Sequence, residues 1–185
     1  VEMTEARAAR AGVSVNLSQG DATQLANHDE FDAVLVIDLI ELLPEESDAQ
    51  KCLGQIHGAL RPGGVAVCNV YNPFTTGEHW LTKLLQHRQE VSEEHARGIS
   101  ITEIWRLQRF DPVHGAGWVK ATTIVEAPDG RHVFRDRFRF RIQSYWGMTN
   151  HLRAAGFREI SCYPDWKTKQ AKKPKAEQLV FVARK

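Results

Sequence analysis

The chain has 185 residues, 42% of them hydrophobic and 25% charged, and its 24 Lys and Arg against 23 Asp and Glu leave a net charge of +1. That length fits one domain with an insertion and suffices for a real core, while the near-neutral balance argues against a generic polyanion binder, so no nucleic-acid partner is expected. No run of 18 apolar residues occurs and the Val1–Arg7 start has neither a basic nor an apolar leader region, so neither a membrane span nor a signal peptide is expected. Three scattered cysteines, Cys52, Cys68 and Cys162, fit reduced thiols in a cytoplasm.

Glu2 to Ala11 is rich in Ala and Arg and is followed by Gly12, which reads as a helix and its end. Ser14 to Ser18 alternates weakly and reads as a short strand leading into Gly20-Asp21. The almost unbroken apolar run Ala33 to Ile37 suits a strand buried on both faces, as in a parallel sheet. Pro44-Glu45-Glu46-Ser47-Asp48 is an acidic helix start, favoured by the helix dipole. Ala49, Cys52, Leu53, Ile56, Ala59 and Leu60 then recur at helical spacing as one buried stripe. Arg61-Pro62-Gly63-Gly64 turns the chain into a second buried strand, Val65 to Val70. Strand, helix and strand joined by short turns form a parallel crossover unit.

Beyond Tyr71-Asn72-Pro73-Phe74 the pattern changes. A polar helical stretch near Glu78 to Ala96 precedes three strands, at Thr102 to Phe110, Gly117 to Ala127 and His132 to Gln143. Pro128-Asp129-Gly130 is a hairpin signal between the last two. In the third strand Phe134, Phe138, Phe140 and Ile142 alternate with Arg135, Arg137, Arg139 and Arg141, which predicts one buried and one solvated face. Thr149 is placed to cap a short helix with Leu152 and Ala155 inward and Gly156 at its end. Glu159 to Tyr163 and Leu179 to Ala183 are the closing strands, separated by a Lys-rich loop at Lys167 to Lys175.

In their order, Ala6 to Gly12, Gly20-Asp21-Ala22, Phe31-Asp32-Ala33-Val34-Leu35, Leu60-Arg61-Pro62-Gly63-Gly64 and Leu152-Arg153-Ala154-Ala155-Gly156-Phe157 resemble the class I S-adenosylmethionine-dependent methyltransferases. The antiparallel segment resembles the substrate-covering arm of small-molecule N- and O-methyltransferases. The resemblance implies an α/β fold: a Rossmann-like methyltransferase core over residues 1–74 and 144–185, with a helical and antiparallel β insertion at 75–143. That family's first two strands, with a Gly-rich loop between the first and its helix, precede the segment matching Glu2 to Ala11. No segment of this sequence matches them, so the core is expected to be incomplete and truncated at its N-terminus.

By the same resemblance, Gly20, Asp21 and Ala22 meet the adenine of S-adenosylmethionine, Asp21 accepting from its amino group, and Asp38 and Leu39 line its methionine part. An Asx turn is the other reading of Asp21. Tyr71 and Asn72 border the transferred methyl, where aromatic rings attract a sulfonium, and Tyr145 and Trp146 close the insertion and re-enter the core beside the substrate. Asp38 and Glu41 are spaced to share a helical face, but hard cations need more oxygen ligands than this pair, and Leu42 stands where some members carry a His, so no metal is expected. Arg106, Arg109 and His114 are pocket candidates on the insertion, with His114 a general base offered by the Pro112-Val113-His114-Gly115 loop. Arg135 to Arg141 read more simply as a charged face guarding a sheet edge.

These expectations combine into methyl transfer from S-adenosylmethionine to an O or N of a small-molecule acceptor, where alignment carries most of the catalysis. The competing reading is a non-catalytic remnant of the fold, acting as a binding or homo-oligomerising module. A nucleotide-dependent oxidoreductase fits less well, because its glycine fingerprint is missing.

Overall fold

The computed structural model describes residues 2–43, 45–72, 89–95, 98–164, 166 and 178–185. Two four-stranded sheets organise it. Helix α1 (Glu2–Arg10) is followed by β1 (Phe31–Val36), a 3-10 turn at Ile40–Leu42, α2 (Glu46–Ala59) and β2 (Leu60–Tyr71). The insertion supplies β3 (Gln89–His95), β4 (Ile99–Asp111), β5 (Ala116–Ala127) and β6 (Gly130–Arg141), before α3 (Tyr145–Ala154), β7 (Glu159–Tyr163) and β8 (Gln178–Arg184) restore the first pattern. The core sheet runs β1-β2-β8-β7, with β1 parallel to β2 and the other pairs antiparallel. The insertion sheet is an antiparallel meander in the order β3-β4-β5-β6.

The helical stripe read from the sequence is the one that packs: Ala49, Cys52, Leu53, Ile56 and Ala59 are buried on α2. They meet Ala66, Cys68 and Val70 of β2, Phe181 and Ala183 of β8, and Met148 and Leu152 of α3. Gly64 lets β2 approach β1, since a Cβ there would lie 2.9 Å from the Arg61 carbonyl oxygen and 3.2 Å from that of Asp32. Close packing on one side only explains why β1 is not buried on both faces as its apolar run predicts. Val36 is buried, but Leu35 and Ile37 are 64% and 57% exposed on the opposite face, and β1 is the sheet edge.

Several other expectations change. Ser14 to Ser18 forms no strand, and Val13 and Val15 are exposed: a strand exists only where a neighbour takes its backbone hydrogen bonds, and none of the described strands lies beside it. Gln89–His95, expected as the end of a polar helix, is an edge strand paired with β4, whose tertiary ladder overrides local preference; the remainder of that helix, at 78–88 and 96, lies outside the described residues, as do Pro73, Phe74 and the Lys167 to Lys175 loop. Ser144 rather than Thr149 caps α3, its hydroxyl accepting from the Gly147 N–H at 3.0 Å. Thr149 lies buried inside the helix with its hydroxyl donating to the Tyr145 carbonyl at 2.8 Å.

The insertion's own core is small. Val119 and Phe140 are buried, with Trp105, Leu107, Phe138 and Ile142 packed around them. Gly117 is required here, because a Cβ would fall 2.3 Å from the Phe140 ring. The two-residue Pro128-Asp129 loop closes the hairpin as expected, with Ala127 paired to Gly130. Toward that loop the hairpin leaves this core behind, so Phe134, expected inside, is 60% exposed.

Candidate functional site

Ligands of open α/β sheets gather beyond the carboxyl ends of the parallel strands. At that end of β1 and β2 the structure assembles a polar cluster from residues 31 positions apart. Asp38 adopts a left-handed backbone with φ of 51°, which a short polar side chain tolerates. Its N–H donates to Asn69 Oδ1 at 3.0 Å, and Asn69 Nδ2 donates back to Asp38 Oδ1 at 2.6 Å. The reciprocal pair holds the Asp38 carboxylate at the mouth of the sheet.

Glu41, in the 3-10 turn, is buried and accepts the Tyr71 N–H at 3.1 Å with either oxygen. Burial pushes its carboxyl up to about 8, further raised by the Asp38 charge, while the Tyr71 N–H works the other way. Near neutral pH burial thus favours the protonated form of the Glu41 carboxyl. The strand end therefore presents acids and amides: chemistry suited to a cation, with Asn72 buried beside Tyr71. The sequence resemblance places Asp38 at the methionine part of the cofactor, but it offers Glu41 only as half of a metal pair and gives Asn69 no role. Its one signal was an amide inside the apolar run Val65 to Val70. Among the described residues no group of three or more His, Cys, Asp or Glu side chains is placed to hold a metal ion.

Asp21 sits at the start of a tight turn and spends its carboxylate there. One oxygen accepts from the Thr23 N–H and hydroxyl, both at 2.8 Å, and the other from Gln24 Nε2 at 3.1 Å. The Thr23 N–H, first among these, holds the Asp21 carboxyl below its usual range. Gly20 precedes it with open space where a Cβ would lie, and Ala22 packs against the core. Leu39 also packs on the core rather than facing outward alone. Tyr145 stacks on Phe181 at 5.9 Å and meets Trp146 edge-on at 5.1 Å. Trp146 does not re-enter the core; its indole is 69% exposed, because it opens α3 on the outward side.

On the insertion, His114 and Asp111 form a pair in the β4–β5 turn. His114 Nδ1 lies 2.7 Å from Asp111 Oδ2, and the other Asp111 oxygen accepts from the Val113 and His114 N–H groups. His114 in turn holds the Asp111 carboxyl low. This leaves Nε2 as the outward nitrogen of an oriented imidazole. The turn abuts the foot of β6, where the Ile142 N–H donates to the Gly115 carbonyl at 2.8 Å; that foot lies against the 3-10 turn that carries Glu41.

Arg106 and Arg109 stand on the face of the insertion sheet away from its small core, Arg109 4.9 Å from the Trp118 ring centroid. Arg135 and Arg137 are exposed as expected, but Arg139 and Arg141 are not part of a solvated face. They pair with Glu45 and Glu46 at the start of α2, Arg141 to Glu46 at 3.1 Å, and so fasten the insertion to the core. The long reach across 95 residues hid this from a strand pattern that looks the same at all four arginines.

Residues 1–64 match a family model described as a methyltransferase domain. No curated protein matches the sequence. Among solved structures, an S-adenosylmethionine-dependent methyltransferase from Clostridium acetobutylicum superposes with a TM-score of 0.74 at 14% identity, over 99% of this chain and 70% of that one. The sugar N-methyltransferase KedS8 from Streptoalloteichus gives 0.65 at 19% identity, over 97% and 67%. CalS10, a SAM-bound amino pentose methyltransferase from Micromonospora echinaspora, gives 0.61 at 17% identity, over 89% of this chain and 62% of that one. The chain thus spans about two thirds of the length of the structures it resembles, and the likeness is one of fold. No helix among the described residues is long and apolar enough to cross a membrane.

Proposed function

From a chain with the fold of the class I S-adenosylmethionine-dependent methyltransferases, we propose a part in methyl transfer from that cofactor to a nitrogen or oxygen of a small-molecule acceptor. The observation that carries this reading is the Asp38–Asn69 and Glu41–Tyr71 cluster at the carboxyl ends of the parallel strands. Two acids, neither ion-paired to a basic group among the described residues, fit the cationic methionine end of the cofactor, which supplies an electrophilic methyl when bound. Asp38 is the charged contact, and Asn69 fixes its direction. Ala22 offers a backbone N–H to the adenine, and Asp21, held by Thr23 and Gln24, keeps an acceptor site on the oxygen that takes the Gln24 bond.

On the acceptor side, Tyr71, Asn72, Tyr145 and Trp146 supply the rings and amide near the strand ends. His114, oriented by Asp111, removes the acceptor's proton at Nε2 as the new bond to the methyl forms; an amine acceptor needs less help. Two of the similar structures are named as methyltransferases of a sugar and an amino pentose, which favours an amine-bearing small polar acceptor.

Titration of the chain with S-adenosylmethionine, followed by backbone amide NMR, tests the reading. Shifts are expected to concentrate at Ala22, Ile37, Asp38, Leu39 and Tyr71 and to be abolished in Asp38→Ala. Shifts that are absent or lie elsewhere would overturn the cofactor site. Binding without transfer to any amine or hydroxyl acceptor would favour a non-catalytic binding module.

A further inference from the structure

The two faces of the insertion sheet differ in kind. One carries the small core around Val119 and Phe140. On the other, the register sets Arg106 opposite Lys120 and Lys120 opposite Arg137, three cations in one row across three strands. Arg135 and Arg139 flank Arg137 on the same face two residues away along β6. Like charges directly opposed destabilise a sheet, so this row works against the fold that holds it.

Neighbouring cations are matched. Arg139 and Arg141 have Glu45 and Glu46, Arg131 has Glu126, and Arg109 and Arg139, the neighbours of Trp118 on the two adjoining strands, lie over its ring at 4.9 and 4.8 Å from the centroid. Among the described residues, no acid pairs with Arg106, Lys120, Arg135 or Arg137, and all four are exposed. The register of β3 brings Glu90 opposite Ile104 and ends at Gln89 opposite Trp105, so an acidic neighbour strand reaches only the Arg106 end of the row.

The shape and the remaining side chains narrow the partner. Small ligands are held in concavities, and this is an open sheet face. Single-stranded nucleic acid needs free aromatic faces for its bases, and Trp118 is already engaged by two guanidinium groups. Ile104, Ile124 and Val133 share the face with the cations, each half-buried or exposed. A phosphate backbone makes no use of them, whereas a protein surface does, and arginine beside apolar area is the composition of protein interfaces. We propose that this face docks a protein partner through a segment of clustered Asp and Glu interspersed with apolar side chains. Carboxylates there relieve the repulsion of the row and are drawn to it by long-range attraction.

The test uses a fluorescein-labelled peptide of mixed Glu and Leu as probe, with inorganic diphosphate and an oligothymidylate as competitors, followed by anisotropy. Expected is binding that weakens steeply with salt and falls roughly tenfold or more in Lys120→Glu/Arg137→Glu, with a similar loss in Lys120→Gln/Arg137→Gln. Both variants should melt no lower than the parent, because they remove like-charge contacts; a purely structural role would lower the melting temperature instead. Unchanged peptide binding in both variants would overturn the proposal. So would tighter binding of the oligonucleotide, which would point to nucleic acid, or of diphosphate, which would point to a small anion.

Discussion

The core sheet and the insertion sheet are both four-stranded, yet they hold together by different means. The core sheet packs one face against α2 and α3 through a continuous cluster that runs from Val36 to Ala183. Among its described residues the insertion sheet buries the apolar side chains of Ala116, Val119 and Phe140, and it depends on its ladder and on ion pairs from Arg139 and Arg141 to the start of α2. The lesson is that a sheet with little core is positioned rather than self-supporting. Its faces are then free for other tasks, while its attachment to the core sets where those tasks happen.

The sharpest way to break this comparison is to empty each core in turn. Leu53→Ala and Phe140→Ala should each cost about 2–5 kcal/mol at their own site. In amide hydrogen exchange, Leu53→Ala should lower protection throughout β1, β2, β7 and β8. Phe140→Ala should lower it in β4, β5 and β6 while leaving the core sheet protected. Loss of protection everywhere in Phe140→Ala would show that the two sheets fold as one unit.

A second effect belongs to the core alone. The Glu41 carboxyl is raised from its ordinary value of 4.5 to about 8 by burial, so the folded chain keeps a proton that the unfolded chain releases. Its contribution is complete below the unfolded value and is lost as pH rises toward 8, at about 1.4 kcal/mol per pH unit within that window. Half-buried His57 and buried His151, both lowered chiefly by loss of solvation, act in the opposite sense below the ordinary histidine value. The difference between the parent and Glu41→Gln in urea titrations from pH 5 to 8 isolates the Glu41 share. Parallel curves for the two proteins would mean that Glu41 is not held protonated.

The smallest effect on folding is expected at the open edge. Leu35→Lys and Ile37→Lys should change stability by no more than about 0.5 kcal/mol, since both side chains are exposed. They should nevertheless suppress the concentration-dependent association that an apolar edge strand invites. Light scattering over a range of concentrations checks this. A parent chain that stays monomeric at all of them would show that β1 is not a contact surface.

What was legible in the sequence was whatever repeats locally. The α2 stripe, the parallel pair around it, the three long insertion strands and the Pro128-Asp129 turn all declare themselves within a few residues. What stayed hidden depends on distant neighbours. Ser14 to Ser18 has strand chemistry but no ladder to join. Gln89–His95 has polar, helix-tolerant residues but is recruited by β4. Phe134 keeps the alternation of β6 after the core beneath it has ended. The site divides in the same way: Asp38 could be named from its place after a strand, but its clamp by Asn69 joins two strands that only the fold brings side by side.

Gly117 and Phe140 carry a consequence for how this insertion can vary. The ring of Phe140 occupies the volume that any side chain at position 117 would need, and a close-packed interior has little slack to absorb the overlap. A methyl group at 117 is therefore tolerable only when the ring at 140 shrinks, and a shrunken ring leaves a void unless 117 grows to fill it. The two positions behave as one inherited unit, with a valley of unstable single changes between its permitted states. Drift in this sheet is then expected to proceed by paired exchange at 117 and 140, while the exposed hairpin beyond Phe134 varies freely.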